Sequence, residues 1–170
     1  YLIWSEALAE RLRDGGVNAR FFPFGWDPTF HPYCPADGPK SHAVAFVGNW
    51  DPRREAVLET IAGHFDLKIW GNADWETRTR RKSRLRTCWQ GGPVVGAAFA
   101  DVVARSALVL NLFREQHAPG GVIMRTFEVP GMGGFLLSAH NDEARVLFPE
   151  NETGAYFTDA ADCCGKIHYW

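Results

Sequence analysis

The feature that most constrains the fold is a series of short, uninterrupted apolar runs separated by segments with helical periodicity. The runs lie at residues 43–47, 67–70, 108–113, 135–138 and 155–158. Strands buried on both faces read as continuous apolar runs, and parallel neighbours must be joined by crossover connections, which are usually helices. The pattern therefore predicts an α/β domain over residues 42–170, with a doubly wound, Rossmann-like parallel sheet and helices on both faces.

The segments between and after the runs carry helix signals. Asp51 is a candidate N-cap, Pro52 suits the first helical position, and the apolar positions that follow, up to Phe65, share one helical face. Six helices are predicted in this way, at residues 52–65, 74–90, 97–106, 122–129, 142–148 and 160–168. The run at 155–158 is expected to be an edge strand.

Residues 1–41 differ in character from the rest of the chain. Residues 2–13 place apolar side chains near helical spacing, and residues 17–22 read as a short strand. The proline- and aromatic-rich stretch 23–39 suits neither a helix nor a central strand. Because both ends of the chain are apolar and termini are usually polar, we expect residues 1–41 to be the remnant of a preceding domain plus a linker, and the final helix to be truncated.

Composition and charge exclude several classes of protein. The chain has 170 residues, a formal net charge of -2, and no apolar run that approaches the roughly 20 residues of a transmembrane helix. Its 4 cysteines, two of them adjacent at Cys163 and Cys164, do not form the framework of a secreted disulfide protein. We therefore expect a cytoplasmic protein without a transmembrane segment.

A basic run at residues 78–86 holds six of the 18 lysines and arginines. On a helix these side chains would surround most of the circumference, which favours a solvated helix. The alternative is a cationic wall that faces an anionic substrate or membrane headgroups. Nucleic acid is not expected as a partner, because no aromatic stacking platform is interleaved with the basic residues.

The candidate binding residues follow the predicted strands, since ligands of open parallel sheets bind beyond the carboxyl ends of the strands. They are Gly48, Asn49, Arg54, Trp70, Gly120, Gly121, Val122, Met124, Arg125 and Glu128. Glycines that open a helix expose backbone N–H groups to a phosphate, and Arg54 and Arg125 add bidentate donors for a diphosphate. Glu128, one helical turn after Arg125, would accept hydroxyl protons from a ribose. The alternative is an exposed intrahelical ion pair of Arg125 and Glu128.

Other candidate sites are less specific. The dinucleotide motif G-x-G-x-x-G is absent after the first strand, which disfavours an NAD-dependent oxidoreductase. His31, Cys34 and His42 are conceivable metal ligands, but no further Cys/His pair completes a tetrahedral set, so no metal site is predicted. His117 is either an acid–base group or an exposed loop histidine.

Two tryptophans near the end of the second predicted strand have two interpretations. Trp70 and Trp75 either stack against a nucleobase or belong to the core. Aromatic faces suit both roles, so the sequence leaves the choice open.

Several motifs together resemble the C-terminal domain of the spore maturation CgeB-like glycosyltransferases. They are AFVGNWDPRR at residues 45–54, IWG at 69–71, SALVLNL at 106–112 and RTFEVPGMGGFLL at 125–137. The segment at 148–156 is similar to the one that follows in the family, and FPFGWD at 22–27 is similar to the preceding linker. The similarity extends over nearly the whole chain.

The resemblance implies the C-terminal half of a GT-B fold, in which two Rossmann-like domains face a cleft and this one binds a nucleotide-diphosphate sugar of the UDP or GDP type. It implies that Glu128 binds the donor ribose, and that Arg54, Arg125 and the amides of residues 120–124 hold the diphosphate, with no tightly bound cofactor. The glycosyl acceptor is unknown, and the N-terminal domain of the same enzyme would be missing. The chain departs from the family pattern at Gly120, eight residues before Glu128, where many relatives carry the first glutamate of a pair. The alternative function is a non-catalytic binding or assembly module on the same fold.

Overall fold

The computed structural model describes residues 1–35, 38–114 and 120–170. In chain order its elements are β1 (Leu2–Ile3), α1 (Glu6–Asp14), β2 (Arg20–Phe21), β3 (His42–Val47), α2 (Pro52–Ala62), β4 (Leu67–Trp70), α3 (Asp74–Thr77), α4 (Leu85–Cys88), β5 (Trp89–Gly91), α5 (Gly96–Arg105), β6 (Ser106–Asn111), α6 (Arg125–Gly131), β7 (Leu136–Ala139), α7 (Asp142–Leu147), β8 (Ala155–Phe157) and α8 (Ala160–Tyr169). Each of these helices is too short or too polar to cross a bilayer.

Six strands form one parallel sheet in the spatial order β5-β4-β3-β6-β7-β8. From β3 the chain builds outward through β4 and β5, then crosses back to place β6 on the other side of β3 and continues through β7 to β8. Val44 of β3 is in register with Leu67 on one side and with Leu108 on the other. The reversal of strand order between β3 and β6 is the topological switch point, where such sheets bind ligands.

Both faces of the sheet are buried, as the continuous apolar runs predict. Alternate residues of β3 point to opposite faces, so Val44 and Phe46 pack in one cluster while Ala45 and Val47 pack in another. The first cluster is covered mainly by α2 and α8, and the second by α5 and α6. The predicted fold class, a doubly wound parallel sheet with helices on both faces, is confirmed.

Four of the described helices, α1, α2, α7 and α8, begin with a side-chain cap. The side chain of Asp51 accepts a hydrogen bond from the Arg53 amide at 3.0 Å, and Pro52 occupies the first helical position of α2. Asn141 and Asp159 cap α7 and α8 in the same way. Each cap satisfies a backbone N–H that has no partner inside its helix.

The beginning of the chain differs from its prediction. The spacing predicts a helix over residues 2–13, but Leu2 and Ile3 form β1, which pairs in parallel with β2. The helix starts later because Ser5 caps it, accepting a hydrogen bond from the Leu8 amide at 3.3 Å. The predicted strand at 17–22 is correspondingly reduced to the two residues of β2.

The prediction of one polar helix over 74–90 is wrong. The segment contains two single-turn helices, α3 and α4, and then β5, an edge strand of the sheet that the sequence pattern does not predict. Between its two short helices, side chains of α2 and of the segment itself bind its backbone in place of helical hydrogen bonds. The Glu55 carboxylate accepts from the Arg80 amide at 3.2 Å, Glu59 accepts from the Arg84 amide at 3.4 Å, and Arg86 donates to the Thr79 carbonyl at 2.7 Å.

The basic run is therefore not a helix face. Arg78, Arg80, Arg81, Lys82 and Arg84 are exposed on a loop whose backbone is tied to α2. The guanidinium of Arg78 lies 4.3 Å from the centre of the Trp50 ring. The exposure agrees with a solvated segment, although its conformation is not the predicted one.

Gly71, at the carboxyl end of β4, gives the first testable prediction. A Cβ atom there would lie 2.1 Å from the Gly48 carbonyl oxygen and 2.9 Å from the Trp75 indole nitrogen. Because a backbone atom must move, we expect Gly71→Ala to lower the free energy of unfolding by about 1–3 kcal/mol or more, as in overpacked cores. Urea denaturation would measure this.

Gly92→Ala is the matched control. A Cβ atom added to Gly92 would have no heavy atom within 4 Å, and the residue has no positive φ. Its substitution is therefore expected to leave stability unchanged or to raise it slightly. Equal stability of the two variants would contradict the close approach of β3 and β4 at Gly71.

Candidate functional site

A cleft of about 530 Å³ lies at the carboxyl ends of the central strands. Its walls come from the segments after β3, β4 and β6, the start of α6, the loop before α5, and the linker before β3. It brings together seven of the predicted residues: Gly48, Asn49, Arg54, Trp70, Met124, Arg125 and Glu128. Positions far apart in the sequence thus meet at the switch point.

Three predicted residues lie away from the cleft lining. Gly120 is packed against Glu143, whose Oε1 would be 2.8 Å from a Cβ atom, and Gly121 is similarly close to Trp4. Val122 is buried in a small separate cluster. The predicted helix start at residue 122 is wrong, because α6 begins at Arg125.

His117 and most of the loop that precedes these glycines lie outside the described residues. The two interpretations of His117 therefore stay as predictions.

Arg54 is buried beneath the cleft and holds two strand ends. Its Nε and one terminal nitrogen donate to the Leu112 carbonyl oxygen at 3.1 and 2.6 Å, and its other terminal nitrogen donates to the Asn49 carbonyl oxygen at 3.0 Å. The guanidinium also lies 5.4 Å from the centre of the Phe46 ring. Arg54 thus joins the segment after β3 to the segment after β6.

The cleft is cationic at this point. Burial lowers the pKa of Arg54 to about 10, and the neighbouring positive charges of Arg114 and, more weakly, Arg125 act in the same direction, while Asp51 opposes them. A cation removed from water and close to others of the same sign is costly. An anion in the cleft would offset that cost.

Arg125 and Glu128 form an ion pair on α6 at the cleft wall. An Arg125 terminal nitrogen donates to Glu128 Oε2 at 2.9 Å, and the Arg125 guanidinium lies 4.4 Å from the centre of the Phe99 ring. Burial lowers the pKa of Arg125, and the nearby Glu128 carboxylate partly offsets this. The Glu128 side chain is only 7% exposed, so the pair is not the exposed one that the sequence left open.

His31, from the linker, is a cleft residue whose position the sequence did not predict, since there it was only a conceivable metal ligand. Its side chain is 7% exposed, it lines the cleft, and its Nδ1 lies 3.8 Å from Glu128 Oε1. The sequence indicated only a proline- and aromatic-rich linker over residues 23–39. Nothing in local periodicity connects that linker to α6, which lies far along the chain.

Trp70 and Trp75, near the end of the second predicted strand, have different environments in the structure. Trp75 is fully buried and donates from Nε1 to the Gly48 carbonyl oxygen at 2.8 Å, so its interpretation as a nucleobase platform is wrong. Trp70 is half-buried, lines the cleft, and has its ring 5.6 Å from that of His42. Only Trp70 of the two presents a surface to a ligand.

The three conceivable metal ligands do not meet. His31 faces Glu128, His42 contacts Trp70, and Cys34 packs against the core on the α5 side of the sheet. Within the described residues, no group of three His, Cys, Asp or Glu side chains is placed to hold a metal ion.

The six-stranded parallel sheet with its flanking helices matches that of GT-B glycosyltransferases. The chain belongs to the glycosyl transferase-like family, whose sequence model matches residues 53–170. None of the curated proteins matches the chain in sequence.

Solved structures of glycosyltransferases share the fold. Sucrose-phosphate synthase from Thermosynechococcus elongatus is 17% identical with a TM-score of 0.67, over 99% of this chain and 48% of that one. The GtfA/B complex is 16% identical with a TM-score of 0.65, over 99% and 37%. T4 phage BGT, in complex with UDP and Mn2+, is 12% identical with a TM-score of 0.61, over 98% and 50%. The chain thus spans half or less of the length of each.

The structural role of Arg54 gives a second prediction. Lysine keeps the charge but cannot donate to the Leu112 and Asn49 carbonyls together in the geometry of a guanidinium fork. We expect Arg54→Lys to lower the free energy of unfolding by about 1–3 kcal/mol, the value of lost hydrogen bonds to a charged donor. Thermal and urea unfolding would measure it.

The neighbouring Arg53→Lys serves as control, because Arg53 is exposed and surface changes are usually within about 0.5 kcal/mol. If Arg54→Lys were as stable as Arg53→Lys, the joining of the two strand ends by Arg54 would not matter for folding.

Proposed function

We propose that this chain is the donor-binding domain of a glycosyltransferase, which holds a nucleotide-diphosphate sugar while the glycosyl group is transferred to an acceptor. The observation that carries the proposal is the group of buried or half-buried arginines, Arg54, Arg114 and Arg125, around the cleft at the switch point. Family membership and the fold support a transferase, and the three arginines support an anionic donor.

The diphosphate is the part of the donor that fits the arginines. Its negative charges would offset the desolvation of Arg54 and the mutual repulsion of the cations. When the bond from the sugar to the diphosphate breaks, negative charge grows on the departing phosphate oxygen. Cations already fixed in position stabilise that charge without reorganising, so Arg54 and Arg125 act in the transition state as well as in binding.

Glu128 is proposed to bind the ribose. Arg125 holds one of its oxygens at 2.9 Å, which leaves Oε1 as the acceptor for a hydroxyl group. A buried carboxylate that is already oriented loses little side-chain entropy when it binds. In this arrangement one helical turn of α6 binds the phosphate with Arg125 and the sugar of the nucleoside with Glu128.

The nucleobase is proposed to lie against Trp70 and Gly71, and the lining of the cleft also includes the apolar side chains of Val94 and Val95. A volume of about 530 Å³ lies in the range of small-molecule sites, roughly 300–1,000 Å³. Both UDP and GDP are candidates. Gly48 and Asn49 would approach the donor with backbone groups.

The sequence assigns the diphosphate to the amides of Gly120, Gly121 and Val122 as well. Since these residues lie away from the cleft, we propose that this part of the contact falls to Met124 and Arg125 at the start of α6. Gly120 supplies no acidic side chain at the position where, by the resemblance to the CgeB-like enzymes, many relatives carry a glutamate. We propose, from the sequence motifs, that the chain belongs to the CgeB-like subgroup.

The remaining components of the enzyme are proposed to lie outside the donor-binding domain of residues 42–170. Residues 1–41 would connect it to a domain that binds the acceptor across the cleft. Turnover by these 170 residues alone is then expected to be slight, because the proposed acceptor-binding domain, with any base that it supplies, lies outside them. We also propose, from the composition of the sequence, that the enzyme is cytoplasmic.

Isothermal titration calorimetry tests donor binding directly. We expect UDP or GDP to bind this chain with micromolar to millimolar affinity. One of the two should bind more tightly, because the surface around Trp70 determines which base fits. A folded protein that gives no heat with either nucleotide at millimolar concentration would overturn the donor site. It would favour the alternative, a non-catalytic module on the same fold.

Glu128→Ala tests the division of roles within the site. We expect it to weaken binding of the preferred nucleoside diphosphate about tenfold, which corresponds to about 1.4 kcal/mol. Pyrophosphate should bind as well as before or better, because Arg125 loses its carboxylate partner. The exposed Glu152, which is outside the cleft, gives the control Glu152→Ala. Equal losses for both ligands would contradict the ribose role.

A further inference from the structure

His31 is a buried polar side chain in the cleft to which the donor assignment gives no role. It comes from the linker rather than from the sheet or its helices. Arginine side chains surround the proposed phosphate position, whereas His31 faces the Glu128 oxygen that Arg125 does not hold. A buried polar group in such a position needs a partner.

Hydrogen bonds within the linker hold the backbone at His31 in place. The Asp27 carboxylate accepts from the Thr29 amide at 2.8 Å and from the Thr29 hydroxyl at 2.6 Å, and the Asp27 carbonyl accepts from the His31 amide at 2.9 Å. Trp26 donates from its indole to the His31 carbonyl oxygen at 2.7 Å. These bonds fix the turn on both sides of His31.

The turn is also fixed against α6. The Trp26 ring lies directly over Gly131, where a Cβ atom would be 2.3 Å from the ring, so the indole occupies space that only glycine leaves open. Gly131 ends the helix that carries Glu128. The linker and Glu128 therefore keep a fixed relation to each other.

The Phe99 ring contacts both side chains that neighbour the Glu128 carboxylate, His31 and Arg125. The His31 and Phe99 rings meet edge to face, with centres 5.7 Å apart and an interplanar angle of 87°, and the Arg125 guanidinium lies 4.4 Å from the centre of the same Phe99 ring. Glu128 has Oε2 toward Arg125 and Oε1 toward His31. Its two oxygens thus have different surroundings.

The distance between His31 Nδ1 and Glu128 Oε1, 3.8 Å, is too long for a hydrogen bond. It does fit a single oxygen atom that lies roughly 2.8 Å from each of them. A hydroxyl group both donates and accepts, a carboxylate only accepts, and an imidazole N–H donates. A hydroxyl in this position would donate to Glu128 and accept from His31.

We propose that His31 and Glu128 together bind one ribose hydroxyl of the donor, so that a residue of the linker takes part in recognising the sugar of the nucleoside. The inference rests on the proposed donor site and adds a specificity-determining residue to it. Its consequence is discrimination: a nucleotide that lacks this hydroxyl leaves His31 Nδ1 and Glu128 Oε1 without the partner that the hydroxyl supplies, and sites of that kind reject the deoxy analogue.

The test compares ribonucleotides with deoxynucleotides by calorimetry on this chain. The probes are UDP and GDP and the 2′-deoxy and 3′-deoxy forms of whichever binds more tightly. Wild type is expected to bind the ribonucleotide at least about tenfold more tightly than one of the two deoxy forms. His31→Phe keeps a ring against Phe99 but has no N–H, and is expected to reduce the ratio of the ribonucleotide to the deoxynucleotide affinity to about threefold or less.

Two variants separate recognition from packing. His31→Asn places an amide near the position of Nδ1 and is expected to restore part of the discrimination. His64→Phe, at an exposed histidine outside the cleft, is expected to behave as wild type. If His31→Phe does not fold, His31→Met supplies a flexible side chain without a donor in its place.

Each outcome decides the inference. Loss of discrimination in His31→Phe with partial rescue in His31→Asn supports it. An unchanged ratio in His31→Phe, or an equal loss of affinity for ribo and deoxy forms, overturns it and leaves the donor site intact. Wild type that binds the nucleotide without discriminating also overturns it alone, whereas wild type that binds no nucleotide overturns both.

Discussion

The cleft depends on one buried cation. Arg54 donates to the Leu112 carbonyl after β6 and to the Asn49 carbonyl after β3, and these are the two strands between which the strand order reverses. The guanidinium holds the segments at a fixed distance while satisfying backbone oxygens that the sheet leaves unpaired. Because three donors in a planar fork are used at once, lysine or an apolar side chain cannot fill the same role.

The same cation connects stability with binding. Its burial near Arg114 and Arg125 lowers its pKa, which records an electrostatic cost that the folded chain carries without a ligand. Hydrogen bonds to backbone oxygens reduce this cost, and an anion in the cleft would reduce it further. On the proposed function, the interaction that holds the two central strands in place is also the one that prepares the domain for a diphosphate.

The fold and the edge of the cleft were predictable because their signals are local. Continuous apolar runs such as 43–47 predicted strands buried on both faces, and the switch point then located the ligand beside the residues after each strand. The prediction for segment 74–90 was wrong because the interactions that decide its conformation are not local. Its polarity and composition suit a helix locally, but Glu55 and Glu59 on α2 bind its backbone amides and hold it as a loop.

By itself, the sequence determined the order of most strands and helices and which residues follow each strand, including Arg54, Arg125 and Glu128. Only the tertiary structure decided which of them share the cleft, and it added His31 while placing Gly120 elsewhere. The physical reason is the range of the interactions. Periodicity and capping act over a few residues, whereas the meeting of the linker with α6 depends on Trp26 packing over a glycine distant in the chain.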